Sequence, residues 1–196
     1  MKPCPGCLST SFRRQLLDAD LARAAPLMRG VVLDVGGKRV ARRGEFRPPE
    51  QPELRAWWVL NVTPDVAPHV LGSAQALPLC DASADAVLCT EVIEHLEDPA
   101  HALGEFRRVT KPGGDILLTT PNSYAWLFRL IALFGLTPQR IQRPDHKHFF
   151  DEAAIVRLAP DADVFGYFPY VLIKRTIRRG VGALSPTFVL RIHKTA

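Results

Sequence analysis

The chain has 196 residues, of which 47% are apolar and 23% charged. That balance excludes intrinsic disorder and suits one domain with a sizeable core. The net charge of +5 is carried mostly by arginine, and no internal repeat or low-complexity tract is present, which excludes solenoids and linker arrays.

The chain opens with Cys4-Pro-Gly-Cys7. A C-x-x-C pair can be half of a zinc site, but a structural zinc takes four ligands, and no second pair or nearby His pair follows. A redox pair would follow a strand. Cys4 and Cys7 therefore read as an inert terminal knuckle. No apolar h-region accompanies them, and the longest apolar stretch, Tyr124–Leu136, is too short to span a bilayer and contains Arg129. These features lead us to expect a cytoplasmic protein with reduced thiols. Residues 1–29 are expected as an N-terminal extension with a helix from Phe12 to Met28, ahead of a domain over 30–196.

Val31–Val35 is an apolar, β-branched run that predicts a strand, ended by Gly36 and Gly37. Lys38–Pro52 holds three prolines and five basic residues and predicts a loop. Further strands are predicted at Trp57–Val62, His69–Gly72 and Asp85–Thr90, followed by a short turn-rich segment, Glu91–Leu96. Asp98-Pro99 is a cap with proline at the first helical position, and Leu103, Phe106 and Val109 continue at helical spacing until Lys111-Pro-Gly-Gly114. A strand over Asp115–Thr120 closes at Pro121. Asp151 caps a helix over Glu152–Leu158, and strand-like runs follow near Phe165–Ile173 and Thr187–Ile192.

Alternating strands and helices predict an α/β fold, a Rossmann-like, doubly wound and mostly parallel sheet with helices on both faces. Ligands bind beyond the carboxyl ends of such strands. The informative positions are then Asp34–Gly37, Asn61, Gly72–Ala74, Thr90–His95 and Thr120–Asn122.

The segments "VVLDVGG" and "ALPLCDASADAVLCTEVIEHLEDPAHALGEFRRVTKPGGDILLTTPN" resemble a class I S-adenosylmethionine-dependent methyltransferase of the type 11 group, across about residues 30–122. The ordered pattern L-P-x-x-D-x-S-x-D, E-H, R-x-x-K-P-G-G carries the likeness. It implies S-adenosylmethionine as cofactor. Gly36 and Gly37 would admit the donor's methionine end to the backbone, Asp34 would anchor that turn, and Thr90 and Glu91 would line the floor under the sulfonium. Asn61 stands where the family usually has an acid for the ribose, and Ser73, followed by Ala74, where it often has an Asp near the adenine. The family's three spaced glycines are here reduced to two adjacent ones. A neutral Asn gives up a charge-assisted gain of about 1 kcal/mol, and Lys38 beside the turn suits the donor's carboxylate.

Glu91, Glu94 and His95 recur at i, i+3 and i+4, which on a helix share one face, and Asp145-His-Lys-His148 follows. Glu91, Glu94, His95 and His146 could together hold a divalent metal, an arrangement resembling small-RNA 2′-O-methyltransferases and ubiquinone-pathway O-methyltransferases. Relatives with E-H but no metal make this the less favoured reading. His95 alone could act as general base for an acceptor hydroxyl, or be structural.

Tyr124–Phe134 is apolar on nearly all sides and is expected as a lid or packed helix within an acceptor region over 123–150. A peripheral membrane contact is the alternative. The basic clusters Lys38, Arg39, Arg42, Arg43, Arg47 and Lys174, Arg175, Arg178, Arg179 are not interleaved with aromatics and are expected as solvated faces, not nucleic-acid surfaces. The expected activity is methyl transfer to an oxygen or nitrogen of a small or lipid-like acceptor. The alternatives are a catalytically decayed binding or partner protein on the same fold, and a nicotinamide oxidoreductase. Asp34 and the K-P-G-G segment argue against the last.

Overall fold

Gly30–Val35 forms the central strand β1 of the computed structural model, which describes residues 12–40, 45–135, 137, 145–170 and 173–195. Its apolar residues fall on both faces of the sheet because both faces are covered: Val32 packs under one layer and Leu33 and Val35 under the other. On one side β1 pairs in parallel with β2 (Leu54–Asn61), which pairs in parallel with the two-residue β3 (Val70–Leu71). On its other side β1 pairs in parallel with β4 (Ala84–Thr90), and β4 with β5 (Thr110–Pro121). The chain thus winds outward from β1 in one direction and returns to β4 to wind in the other. The junction of β1 and β4 is the switch point where sheets of this kind open a crevice.

Helix α1 (Phe12–Arg23) ends earlier than its sequence suggests, because Pro26 cannot continue the ladder and a 3-10 turn, Ala25–Leu27, takes over. Its Leu17 and Leu21, with Met28, pack on Val32, Ala86, Leu88, Leu117 and Val189. The segment expected as an extension is therefore part of the core from residue 12 onward. Helix α2 (Pro99–Val109) starts as predicted: the Asp98 carboxylate accepts from the His101 N–H at 2.9 Å. It covers the opposite face with Ala102, Leu103, Phe106 and Val109, beside Ile155 of α4 (Glu152–Leu158). Helix α3 (Trp126–Ala132) lies between these two in the chain.

Two expectations are corrected. Lys111–Gly114 does not separate α2 from a strand. β5 begins at Thr110 and absorbs the segment through a register shift opposite Ala84–Ala86, with Gly113 at φ +77°. The run predicted as one strand near 165–173 is an antiparallel pair, β6 (Asp163–Tyr170) and β7 (Ile173–Ile177). The apolar stretch Tyr170-Val-Leu-Ile173 carries no turn residue to announce the reversal. Helix α5 (Val181–Leu184) then leads into β8 (Thr187–His193), which inserts antiparallel between β5 and β6. The sheet order is β3-β2-β1-β4-β5-β8-β6-β7.

The β1–β2 crossover, predicted as a loop, carries no helix among its described residues. It is pinned instead by side chains. The Glu45 N–H donates to Asp18 Oδ2 at 2.7 Å, and Gln51 Nε2 donates to the carbonyls of Ala25 (3.1 Å) and Met28 (2.7 Å). Phe46 and Trp57 cover part of the sheet face that a helix would otherwise occupy. Cys4, Cys7, Arg42 and Arg43 lie outside the described residues. No helix among the described residues is long and apolar enough to cross a membrane.

Arg108 on α2 fastens the β3–β4 connection. It donates to Glu105 (2.7 and 2.9 Å), Asp81 (2.7 Å) and the carbonyls of Leu79 (2.8 Å) and Leu77 (3.1 Å), while Glu105 accepts the Leu77 N–H at 2.8 Å. The hydrogen bonds from Arg108 pull the Glu105 carboxyl down to about 2 from its ordinary 4.5. A depressed carboxyl adds stability that is complete above its unfolded value and is lost as the pH falls through the folded one. Glu105→Gln is therefore expected to lower stability at pH 7 by about 1–3 kcal/mol and to flatten the acid limb between pH 4.5 and 2. Urea unfolding at pH 7 and pH 3 measures both, and an unchanged acid limb in the variant would contradict this role.

Candidate functional site

The turn leaving β1 uses its two glycines for different physical reasons. Gly36 sits at φ +75°, a conformation L side chains rarely adopt, and a Cβ there would overlap the Val92 side chain. Its N–H donates to the Leu60 carbonyl of β2 at 2.8 Å. A Cβ on Gly37 would overlap the Asp34 carboxylate, so the turn lies directly over that acid. Asp34 in turn accepts from Trp57 Nε1 at 3.2 Å. The glycine pair thus makes its close approaches to Val92 and Asp34 within the chain.

Asn61 differs from its expected role. Its Nδ2 donates to the carbonyls of Gly36 (3.1 Å) and Gly37 (2.9 Å), and its Oδ1 accepts from the Thr63 N–H at 2.9 Å. Both amide hydrogens are thus engaged by the shortened turn and are not held out toward a ribose. Ser73 also serves its own turn, with Oγ accepting from the Gln75 N–H at 3.2 Å, while Ala74 is buried beside it. The strand ends nonetheless leave Val62 (66% exposed) and Leu71 (60%) as apolar surfaces flanking this position.

At the end of β4, Glu91 adopts φ +55°, which for a residue with a Cβ costs about 1–2 kcal/mol. Its N–H donates to Thr119 O at 2.9 Å. The turn delivers Val92 against Gly36 and leads into a 3-10 turn, Ile93–His95, in which Ile93 and Glu94 are buried. Glu94 accepts from Thr120 Oγ1 at 3.2 Å, and its backbone carbonyl accepts from the N–H groups of Lys147 (2.9 Å) and His148 (3.0 Å). The Lys147 ammonium pairs with Glu97. Residues 145–150 are thereby stitched over the 3-10 turn.

His95 Nδ1 lies 2.9 Å from the Asp145 carbonyl. A carbonyl only accepts, so in the neutral ring Nδ1 holds the proton and Nε2 keeps its lone pair. Nε2 stands 4.0 Å from Glu94 Oε1, and the His146 ring meets the His95 ring edge-on at 4.8 Å. Ligand atoms of Glu94, His95 and His146 fall within 4.8 Å of one another. One carboxylate and two imidazoles suit a divalent cation. Glu91, the fourth residue of the expected set, is not in this group. The sequence spacing presumed a helix, whereas Glu91 precedes the 3-10 turn at a left-handed backbone position.

Buried Cys89 is not a nucleophile: burial pushes its thiol well up, and the charges of Glu94 and Asp34 add to the shift. Asn122 escaped the sequence reading except as a strand end. It is fully buried, donating to the carbonyls of Gly182 (2.8 Å) and Ser185 (2.7 Å) and accepting from the Tyr124 N–H at 3.0 Å, so it ties the segment that follows β5 to α5. Beyond it Ala125 is buried, but Leu133 and Phe134 are each 80% exposed. Among the described side chains of Tyr124–Phe134, full burial is confined to Ala125.

Residues 50–118 match the family model for a methyltransferase domain. A protein of Mycolicibacterium smegmatis named a probable S-adenosylmethionine-dependent methyltransferase is 51% identical over 51 residues, 26% of this chain and 20% of its own length. The ubiquinone biosynthesis O-methyltransferase of Alkalilimnicola ehrlichii is 34% identical over 85 residues, 41% of this chain and 34% of its own. The chain therefore spans about a fifth to a third of the length of these curated relatives. In structure it is similar to a S-adenosylmethionine-dependent methyltransferase of Thermotoga maritima, with TM-score 0.64 and 19% identity over 94% of this chain and 91% of that one. One from Archaeoglobus fulgidus gives TM-score 0.62 and 18% identity over 92% and 94%.

Gly36→Ala should strain the turn and displace Val92. The expected loss is about 1–3 kcal/mol of stability together with adenosyl-ligand affinity. Thermal unfolding and calorimetry of the variant check both, and a variant with unaltered Tm and affinity would contradict the close approach.

Proposed function

We propose that this chain, which belongs by its matched segment and its fold to the class I S-adenosylmethionine-dependent methyltransferases, transfers the donor's methyl group to an oxygen of a small or lipid-like acceptor. The observation that carries this reading is the adjacency of two half-sites at the β1–β4 switch point. The glycine turn touches Val92, and three residues further along, His95 Nε2 stands beside buried Glu94.

The residues fit the donor. A backbone without Cβ atoms at 36 and 37 lets the turn close against Val92 and Asp34, and the apolar surfaces of Val62 and Leu71 suit a planar base. When bound, the donor supplies a methyl carbon on a positively charged sulfur. Displacement at that carbon needs the acceptor oxygen in line with the carbon–sulfur bond, so the chain's main task is alignment. In this reading Thr90 and Glu91, at the end of β4, line the floor beneath the sulfonium.

A hydroxyl acceptor also has to lose its proton. His95 Nε2 is placed to take it, with the proton on Nδ1 held by the Asp145 carbonyl so that the ring keeps one orientation. Glu94 stabilises the imidazolium that results. Glu94, His95 and His146 also fit a divalent cation by donor chemistry. Such an ion, when bound, would orient and acidify a hydroxyl. The relatives named as O-methyltransferases support oxygen over nitrogen, and exposed Leu133 and Phe134 support an apolar acceptor or a peripheral membrane contact that delivers one.

A binding protein on the same fold is the second reading, favoured by the shortened turn and the engagement of Asn61. Turnover of labelled donor with a panel of phenolic and catecholic acceptors separates the two. His95→Ala is expected to lower kcat about 100-fold or more with donor affinity unchanged. Wild-type protein that binds donor yet methylates nothing in the panel would favour the second reading. Full activity in chelator would remove the cation and leave His95 as base.

A further inference from the structure

The β1–β2 crossover has no helix among its described residues, and none of them offers a helix N-terminus to the glycine turn. The turn is held from the side, by the end of β2. Gly36 N–H reaches the Leu60 carbonyl at 2.8 Å, and one residue on, the Asn61 amide donates its two hydrogens to the consecutive carbonyls of Gly36 and Gly37 at 3.1 and 2.9 Å. The Thr63 N–H, donating to Oδ1 at 2.9 Å, fixes which way the amide faces. Downstream, the N–H groups of Arg39 (3.1 Å) and Val40 (3.4 Å) donate to the Val66 carbonyl, and Arg39 Nη1 to the Ala67 carbonyl at 3.4 Å. The whole segment from Gly36 to Val40 thus leans on the end of β2 and the turn after it.

An acid at this position would reverse the interaction. A carboxylate has only acceptor oxygens and would face two carbonyl oxygens at hydrogen-bond distance, with no proton between them. We infer that Asn61 is a positioning residue that holds the two-glycine turn in its ligand-receiving shape, so that Asn61→Asp, which restores the acid found in longer-looped relatives, opens the turn and weakens adenosyl-ligand binding. The identity of the ligand rests on the methyl-donor reading above, while the brace itself does not. The pH dependence follows from the chemistry. A carboxyl facing carbonyl oxygens is favoured in its neutral form, and once protonated it can donate to one of the two.

Two readouts test this on the full chain. The first is limited trypsin digestion without ligand, with cleavage after Lys38 and Arg39 followed by mass spectrometry relative to other sites. The second is calorimetric affinity for S-adenosylhomocysteine between pH 5 and pH 8. For Asn61→Asp the expected results are cleavage at Lys38 and Arg39 about tenfold faster, and affinity at least about tenfold weaker at pH 8, with the deficit narrowing toward pH 5. Wild-type protein should show no such narrowing. Asn61→Ala, which removes the donors without adding charge, should fall between the two at pH 8 with no acid rescue, and it carries the same test if the Asp variant does not fold. Unchanged cleavage in both variants, or tighter binding by Asn61→Asp, would overturn the inference. Faster cleavage with no ligand binding by the wild type would uphold the brace and overturn the methyl-donor reading instead.

Discussion

The contact between Gly36 and Val92 is the constraint on which the rest of the site depends. A parallel sheet with its switch point between β1 and β4 brings the ends of these strands side by side. They come close enough to share a site only because Gly36 has no Cβ and because Glu91 turns through a left-handed conformation to bring Val92 forward. Once Val92 is seated, Ile93 and Glu94 follow into the interior and His95 is left at the rim. The glycine turn and the imidazole are therefore coupled through three residues, and strain at Glu91 is offset by burial on both sides of it.

A second consequence is that the site is built from side-chain braces where a helix would otherwise do the work. With no helix in the described part of the β1–β2 crossover, Asp18, Gln51 and Asn61 supply the fixed points. The segments after β5 follow the same pattern. Main-chain bonds from Lys147 and His148 to Glu94 fold the 145–150 segment back, and buried Asn122 ties Tyr124 to α5. Each of these bonds is modest alone, about 1 kcal/mol net, but each satisfies a backbone group that the missing helix or the chain reversal would leave bare.

Much of this was legible in the residues. Val31–Val35 read as a strand, Asp98-Pro99 marked the start of α2, and Glu94 and His95 were picked out together by spacing. The failures have physical causes. Glu91 was grouped with them on the assumption of a helix, and the left-handed turn that excludes it leaves no mark in composition. The type of residue 61 was legible but not the direction of its amide, which is set by carbonyls more than 20 residues away in the chain. The absence of turn residues at Tyr170–Ile173 hid the β6–β7 reversal. The meeting of His146 with His95 was expected from the resemblance to metal-assisted methyltransferases and not from spacing, because it is a long-range event.

The central claim is that an adenosyl donor lies over the glycine turn at the β1–β4 switch point. Hydrogen–deuterium exchange of the full chain, with and without saturating S-adenosylhomocysteine, tests it most directly. The account predicts slowed exchange at residues 34–37, 60–63, 72–76 and 90–95, at the carboxyl ends of β1, β2, β3 and β4. Protection confined to the opposite end of the sheet, around Arg55, Asp85 and Lys111, or none at all, would contradict it.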